Sequence, residues 1–140
     1  MNELISAVSL VDQCVNITQP NNRQPISSLS LQTIDTMFVT ATNLIGKCDT
    51  SSTLITNAAK VSALIKGLIG TGMIETDATA KSTLVDTLRN FYDDVLLEAA
   101  KYYRVHDFQY NMNLDPILRN ILKAGLAAGL SFREEEVQHV

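Results

Sequence analysis

Residues 76–103, TDATAKSTLVDTLRNFYDDVLLEAAKYY, contain the longest amphipathic pattern in the chain. Apolar side chains recur there every three or four residues, at Ala80, Leu84, Leu88, Phe91, Val95, Ala99 and Tyr102. In an α-helix this spacing places them on one face over roughly seven turns. Thr76 or Asp77 is the expected N-cap, since both residue types accept hydrogen bonds from the first helical amides. The segment therefore predicts a long helix whose apolar face other helices must cover.

Four more segments show helical periodicity, which brings the predicted total to five helices. They cover residues 2–17, a stretch from Ser28 or Ser30 to Gly46, a stretch that follows the four candidate caps at residues 49–52 and is closed by Gly70 and Gly72, and residues 116–130. Two prolines and two asparagines make residues 18–25 the expected linker. We predict an all-α, single-domain bundle of about five amphipathic helices over residues 1–132, followed by a polar tail at residues 133–140.

The composition narrows the range of functions. A chain of 140 residues with 46% hydrophobic and 19% charged residues is typical of one globular domain. A net charge of -4 with scattered Lys and Arg argues against nucleic acid, because phosphate binding requires a basic face. The most apolar stretch, residues 114–132, is interrupted by charges that are costly inside a bilayer, so we expect no membrane span. The start lacks a basic secretory n-region, which favours a cytoplasmic protein.

The residues needed for catalysis or metal binding are few. The two histidines are His106, near the end of the long helix, and His139, in the tail. Zinc sites use four clustered nitrogen or sulfur ligands, which two separated histidines and the two cysteines, Cys14 and Cys48, do not provide. His106 at a helix end is expected to interact with the helix dipole. We therefore predict no enzyme activity, no metal and no cofactor, and leave open whether the cysteines pair.

Gly125 and Gly129 on the fifth helix form the first candidate interaction feature. Their small-x-x-x-small spacing lets another helix approach closely. That helix can belong to the same chain or to another subunit, and the sequence favours the same chain.

A secondary apolar stripe on the fourth helix is the second candidate. It consists of Val85, Tyr92, Leu96 and Tyr103. An exposed stripe of this kind marks a protein interface. If Leu96 and Tyr103 are buried within one chain, the argument for this surface fails.

These features favour a non-enzymatic helical module for protein–protein interaction or self-assembly, with a protein partner or a homo-oligomer as the expected complex. The alternative is a sensory or regulatory domain that binds an apolar small molecule between its helices, with Tyr102, His106 and Tyr110 at the mouth of the pocket. The sequence does not identify the partner, the ligand or the number of subunits.

Overall fold

The computed structural model describes residues 2–19, 24–106 and 116–132, and all regular structure in these ranges is helical. The five α-helices are α1 (Asn2–Thr18), α2 (Ser28–Gly46), α3 (Ser52–Thr71), α4 (Ala78–His106) and α5 (Pro116–Ala127). A 3₁₀ turn (Met73–Glu75) connects α3 to α4. The predicted all-α bundle of five helices is confirmed, and the predicted tail, residues 133–140, lies outside the described residues.

Polar N-cap side chains mark the starts of α2, α3 and α4, at or next to the capping residues that the sequence predicts. The hydroxyl of Ser27 accepts a hydrogen bond from the Ser30 amide at 3.1 Å, so Ser27 is the N-cap of α2. The expectation of Ser28 or Ser30 was wrong, because Ser27 is the residue that keeps an extended backbone just before the helix. Ser51 caps α3 in the same way, and Asp77 accepts from the first amides of α4.

Glycines with positive φ end two helices. Gly72 closes α3 at a φ of 67°, and Gly129 follows α5 at a φ of 82°. After α5 the Leu130 amide donates to the Gly125 carbonyl at 2.9 Å, and the Gly129 amide donates to the Leu126 carbonyl at 3.0 Å. This pair of bonds is a Schellman motif, which requires a left-handed residue that glycine adopts without strain. The helix consequently ends at residue 127 rather than 130.

Helices α1 to α4 form a ring in which each helix contacts the next and α4 returns to α1. Glu75, just after α3, bonds to Ser28 at the start of α2, and Glu98 of α4 bonds to Ser51 at the start of α3. These contacts show that α3 runs antiparallel to both α2 and α4. Helix α5 packs mainly on α4 and also on α1. Helix α5 thus lies outside the ring, beside α4 and α1, and the outer surface of α2 and α3 is on the opposite side of the ring.

The core fills the centre of this ring and continues beneath α5. The predicted stripe of α4 supplies Leu84, Leu88, Phe91 and Val95, all buried. Across the ring, Phe38 of α2 meets Phe91 edge to face with ring centroids 5.3 Å apart. Burial of each such side chain stabilises the fold by about 1.5–3 kcal/mol.

Gly125 allows α5 to pack closely on α4. A Cβ atom at this position would lie 2.6 Å from the Phe132 ring and 2.9 Å from the Ala100 methyl group. The chain after α5 returns over the helix, so that Phe132 lies on Gly125 and the Phe132 ring packs beside Tyr103. The close approach at Gly125 is therefore made within one chain.

We expect Gly125→Ala to destabilise the fold by about 1–3 kcal/mol, because the added methyl group overpacks a filled site. The matched control is Gly67→Ala on an exposed turn of α3, where a Cβ meets nothing within 4 Å. That change should stabilise by about 0.5–1 kcal/mol through lower chain entropy. Urea unfolding of both variants measures the effect. Equal stabilisation by the two alanines would contradict the close packing at Gly125.

Candidate functional site

The predicted secondary stripe of α4 is not a free surface. Leu96 is 7% exposed and Tyr103 is 0% exposed, while Val85 and Tyr92 are half-buried. The interpretation of this stripe as an interface was wrong, because α5 and Phe132 cover this side of α4. Burial raises the pKa of Tyr92 to about 12 and the nearby Asp12 carboxylate acts in the same direction. The part of the stripe from Tyr92 to Tyr103 is therefore the side of α4 that packs against α5, whereas Val85 lines a cavity near the start of α4.

Gly125 and Gly129 also have roles within one chain. Gly125 is buried below Phe132, and Gly129 provides the left-handed conformation that ends α5. Packing and capping account for both glycines without a second subunit.

The residues of the alternative ligand site are only partly described. Tyr102 is half-buried on α4, whereas the side chain of His106 and all of Tyr110 lie outside the described part of the chain. A cavity of about 680 Å³ lies near the other end of α4, between its first turns, the 3₁₀ turn and residues 24–25. Charged residues of both signs line it, namely Glu75, Asp77, Lys81, Asp86 and Arg89. This cavity therefore differs in position and polarity from the predicted apolar pocket.

Lys81 holds one wall of this cavity in place. Its side chain is buried and its ammonium group donates a hydrogen bond to the Gln24 carbonyl. A buried charge requires such polar contacts, because removal from water is costly. Lys81 therefore attaches the segment between α1 and α2 to α4, which is a structural role.

The two cysteines are free thiols. Cys14 is buried and its thiol donates to the Ile34 carbonyl at 3.7 Å, while the half-buried Cys48 thiol donates to the Leu44 carbonyl at 3.3 Å. Burial raises the pKa of Cys14 to about 12 and also raises the pKa of Cys48. Since the thiolate is the reactive form, both groups are poor nucleophiles.

Among the described residues, histidine, cysteine and carboxylate side chains form no group of three that could hold a metal ion. None of the described helices is long and apolar enough to cross a membrane.

The uncovered side of α2 and α3 has an unusual surface, which the sequence reasoning missed. We call it the α2–α3 face and define it by exposed residues, namely Leu29, Thr33, Thr36 and Thr40 of α2 with Ile55, Ala59, Ala63, Gly67 and Ile69 of α3. Six large hydrophobic side chains are exposed in the described part of the chain. Leu29, Ile55 and Ile69 lie on this face, and Met73 lies in the 3₁₀ turn that follows α3. The other two, Val105 and Leu126, lie on α4 and α5.

The same helices are nearly without charge. Helix α2 has one ionisable residue, Asp35, in 19 residues, and α3 has Lys60 and Lys66 in 20. Helix α4 has eight Asp, Glu, Lys and Arg residues in 29. Asp35 and Lys66 form an ion pair at 3.4 Å, which leaves Lys60 as the remaining charge of the two helices. The low charge of residues 28–71 is the sequence signal that could have located this surface.

Hydrogen bonding within α2 makes the face less polar than its composition indicates. The hydroxyls of Thr33, Thr36 and Thr40 each donate to the carbonyl four residues earlier, at 3.0 to 3.1 Å. A hydroxyl group that is already bonded loses little when water is removed. The face can therefore be covered at a low desolvation cost.

No family model, curated protein or solved structure matches this chain.

Glu75 connects the α2–α3 face to the cavity. Its carboxylate accepts hydrogen bonds from the Ser28 amide at 2.8 Å and the Ser28 hydroxyl at 2.6 Å. These bonds, chiefly the one from the hydroxyl, lower the pKa of Glu75. The carboxylate thereby satisfies an amide at the N-terminus of α2 and fixes the 3₁₀ turn beside it.

We expect Glu75→Gln to lower the melting temperature at neutral pH, because the charged acceptor is lost. A pKa that is lower in the folded state means that the stabilisation is present above the unfolded pKa and is lost as pH falls through the folded pKa. The difference from wild type should therefore shrink in acid. Melting curves from neutral to acidic pH measure it, with Asp86→Asn as the control that removes a carboxylate from the α4 wall. A constant difference across this range would argue against the carboxylate cap.

Proposed function

We propose that this protein is a non-enzymatic helical module that acts through protein–protein contact, and that the α2–α3 face is its contact surface. The observation that carries the proposal is the combination of exposed apolar side chains and very low charge on this one face. Interface centres are depleted in charged residues relative to the remaining protein surface. The charged outer side of α4 has the opposite character.

The dimensions of the face support this role. A helix of 20 residues is about 30 Å long, and two neighbouring helices present a strip about 20 Å wide. Their projected area is on the order of 600 Å², and the accessible area of such a ridged surface is larger. A standard protein interface buries about 800 Å² on each partner. The face is therefore of the right size to bind one partner without further elements.

Two polar side chains of the described interior, Thr18 and Lys81, bond to backbone carbonyls and so have structural roles within the fold. An intracellular setting agrees with the two free thiols, because oxidising compartments favour disulfides.

Site-specific photo-cross-linking tests the proposal. A photoreactive residue at Ala63, an exposed position of α3, should form covalent adducts in cells that express the full chain. The same residue at Thr83, exposed on α4, should form few. The charged substitution Ile55→Glu should remove the adducts at position 63, because an unpaired charge would be buried in the contact. Adducts of equal yield at the two positions, or none at Ala63, would refute the α2–α3 face as the contact surface.

A small-molecule site is the second candidate, and the cavity beside α4 favours it. Its volume of about 680 Å³ lies within the range of known ligand pockets. The mixed charges of its lining favour a polar ligand rather than the apolar one expected from the sequence. A fragment screen by NMR, with Val85→Trp as the variant that fills the cavity, would test it. Fragment-induced shifts that persist in the variant would count against this site.

A further inference from the structure

We propose that the cavity beside α4 binds a free α-amino acid, whose carboxylate pairs with Arg89 and whose ammonium group pairs with Asp86. The inference rests on the second candidate function and names the class of ligand. Three properties of the cavity support it: the direction in which its α4 wall becomes exposed, the two charged groups that stay unpaired there, and the apolar residues beside them.

The cavity runs along the first turns of α4. Lys81, Val85 and Arg89 line it at intervals of four residues, which places them in one row on the helix surface. Exposure increases along this row, from the buried Lys81 through the half-buried Val85 to the exposed Arg89. The wall that α4 contributes is thus buried beside Lys81 and open to water beside Arg89. A charged head group can therefore stay near water at Arg89 while the rest of the ligand lies further in.

Three charged groups of the lining are already bonded within the chain. The Lys81 ammonium group donates to the Gln24 carbonyl. One carboxylate oxygen of Glu75 accepts from Ser28, and one of Asp77 accepts from the first amides of α4. These bonds hold residue 24 and the starts of α2 and α4 in place, so a ligand that displaced them would weaken the fold. Lys81, Glu75 and Asp77 are therefore explained by the structure of the chain itself.

Asp86 and Arg89 are the remaining charged residues of the lining. Neither side chain forms an ion pair or a hydrogen bond in the described part of the chain. They lie three residues apart on α4, a spacing that brings Cβ atoms to about 5–6 Å and places a carboxylate beside a guanidinium group. A simple anion at Arg89 would be repelled by Asp86, and a simple cation at Asp86 would be repelled by Arg89. The head group of an α-amino acid carries both charges on one carbon atom and satisfies both residues.

Apolar residues of the lining provide a surface for the side chain of the amino acid. Val85 lies one turn before Arg89 on α4, and Ile74 and Pro25 belong to the same cavity. An aliphatic side chain that covers Val85 and Ile74 removes apolar surface from water, which favours binding. A volume of about 680 Å³ is sufficient for such a ligand. An aliphatic amino acid therefore matches the charged and the apolar parts of the cavity.

Titration of the full chain with L-leucine, followed by NMR amide shifts, tests the class of ligand. The shifts should saturate and should centre on residues 74–89. N-acetyl-leucine lacks the ammonium group and leucinamide lacks the carboxylate, and each should bind about tenfold more weakly, because one charge-assisted contact is lost. Arg89→Gln should weaken leucine by a similar factor without weakening leucinamide further. Asp86→Asn should likewise weaken leucine without weakening N-acetyl-leucine further.

Matched variants separate this result from a general effect of charge or from loss of folding. Arg104→Gln and Asp93→Asn remove the same charges from exposed positions of α4 outside the cavity, so the affinity for leucine should stay unchanged. Val85→Trp fills the cavity and should abolish the leucine shifts. Circular dichroism and urea unfolding of each variant check that the chain is folded.

The outcomes distinguish this inference from the function on which it rests. If leucine, N-acetyl-leucine and leucinamide bind equally, or if Arg89→Gln leaves the affinity for leucine unchanged, the assignment of the head group is overturned. If leucine does not bind but fragments still produce shifts that Val85→Trp removes, the cavity stands as a small-molecule site and its ligand is not an amino acid. If neither binds, both the inference and the second candidate function fail, and the α2–α3 face is unaffected.

Discussion

The fold depends on the burial of α4 by helices on more than one side. One stripe of this helix, with Phe91 at its centre, packs into the ring made with α1, α2 and α3. A second stripe, with Leu96 and Tyr103, packs against α5 and Phe132. Since α4 is 29 residues long, it provides enough surface for both contacts. The other helices need only one apolar stripe each, which leaves their outer sides free to vary in composition.

The sequence was sufficient for the helices and for the first stripe of α4, because three-to-four residue periodicity and capping residues are local signals. It was not sufficient for the second stripe. Periodicity reveals that Leu96 and Tyr103 share a side of α4, but whether α5 or another molecule covers them depends on how the chain returns after Pro116. Gly125 presents the same problem, since a small residue permits close packing whatever the origin of its neighbour. The neighbour here is Phe132, seven residues further along the same chain.

The α2–α3 face was missed for a different reason. Leu29, Ile55 and Ile69 each lie outside the main apolar stripe of their helix, and single exposed apolar residues are common on protein surfaces. They become informative only when the fold places α2 beside α3 and α5 on the opposite side of the ring. The scarcity of charge between residues 28 and 71 is readable from the sequence alone, yet it also fits a fully buried helical hairpin. The structure excludes that reading, because one side of both helices is exposed.

Folding alone does not account for the composition of this face. Threonine and glycine are weak helix formers, and exposed positions of a helix usually carry residues with higher helix propensity or charge. Helix α4 follows that rule on its outer side, where Asp86, Arg89 and Asp93 are exposed. Helices α2 and α3 depart from it along several turns, with threonine hydroxyls turned back to the helix backbone and with Gly67 exposed. These residues weaken the isolated helices and lower the cost of covering them. Both properties are expected of a helix surface that packs against another helix.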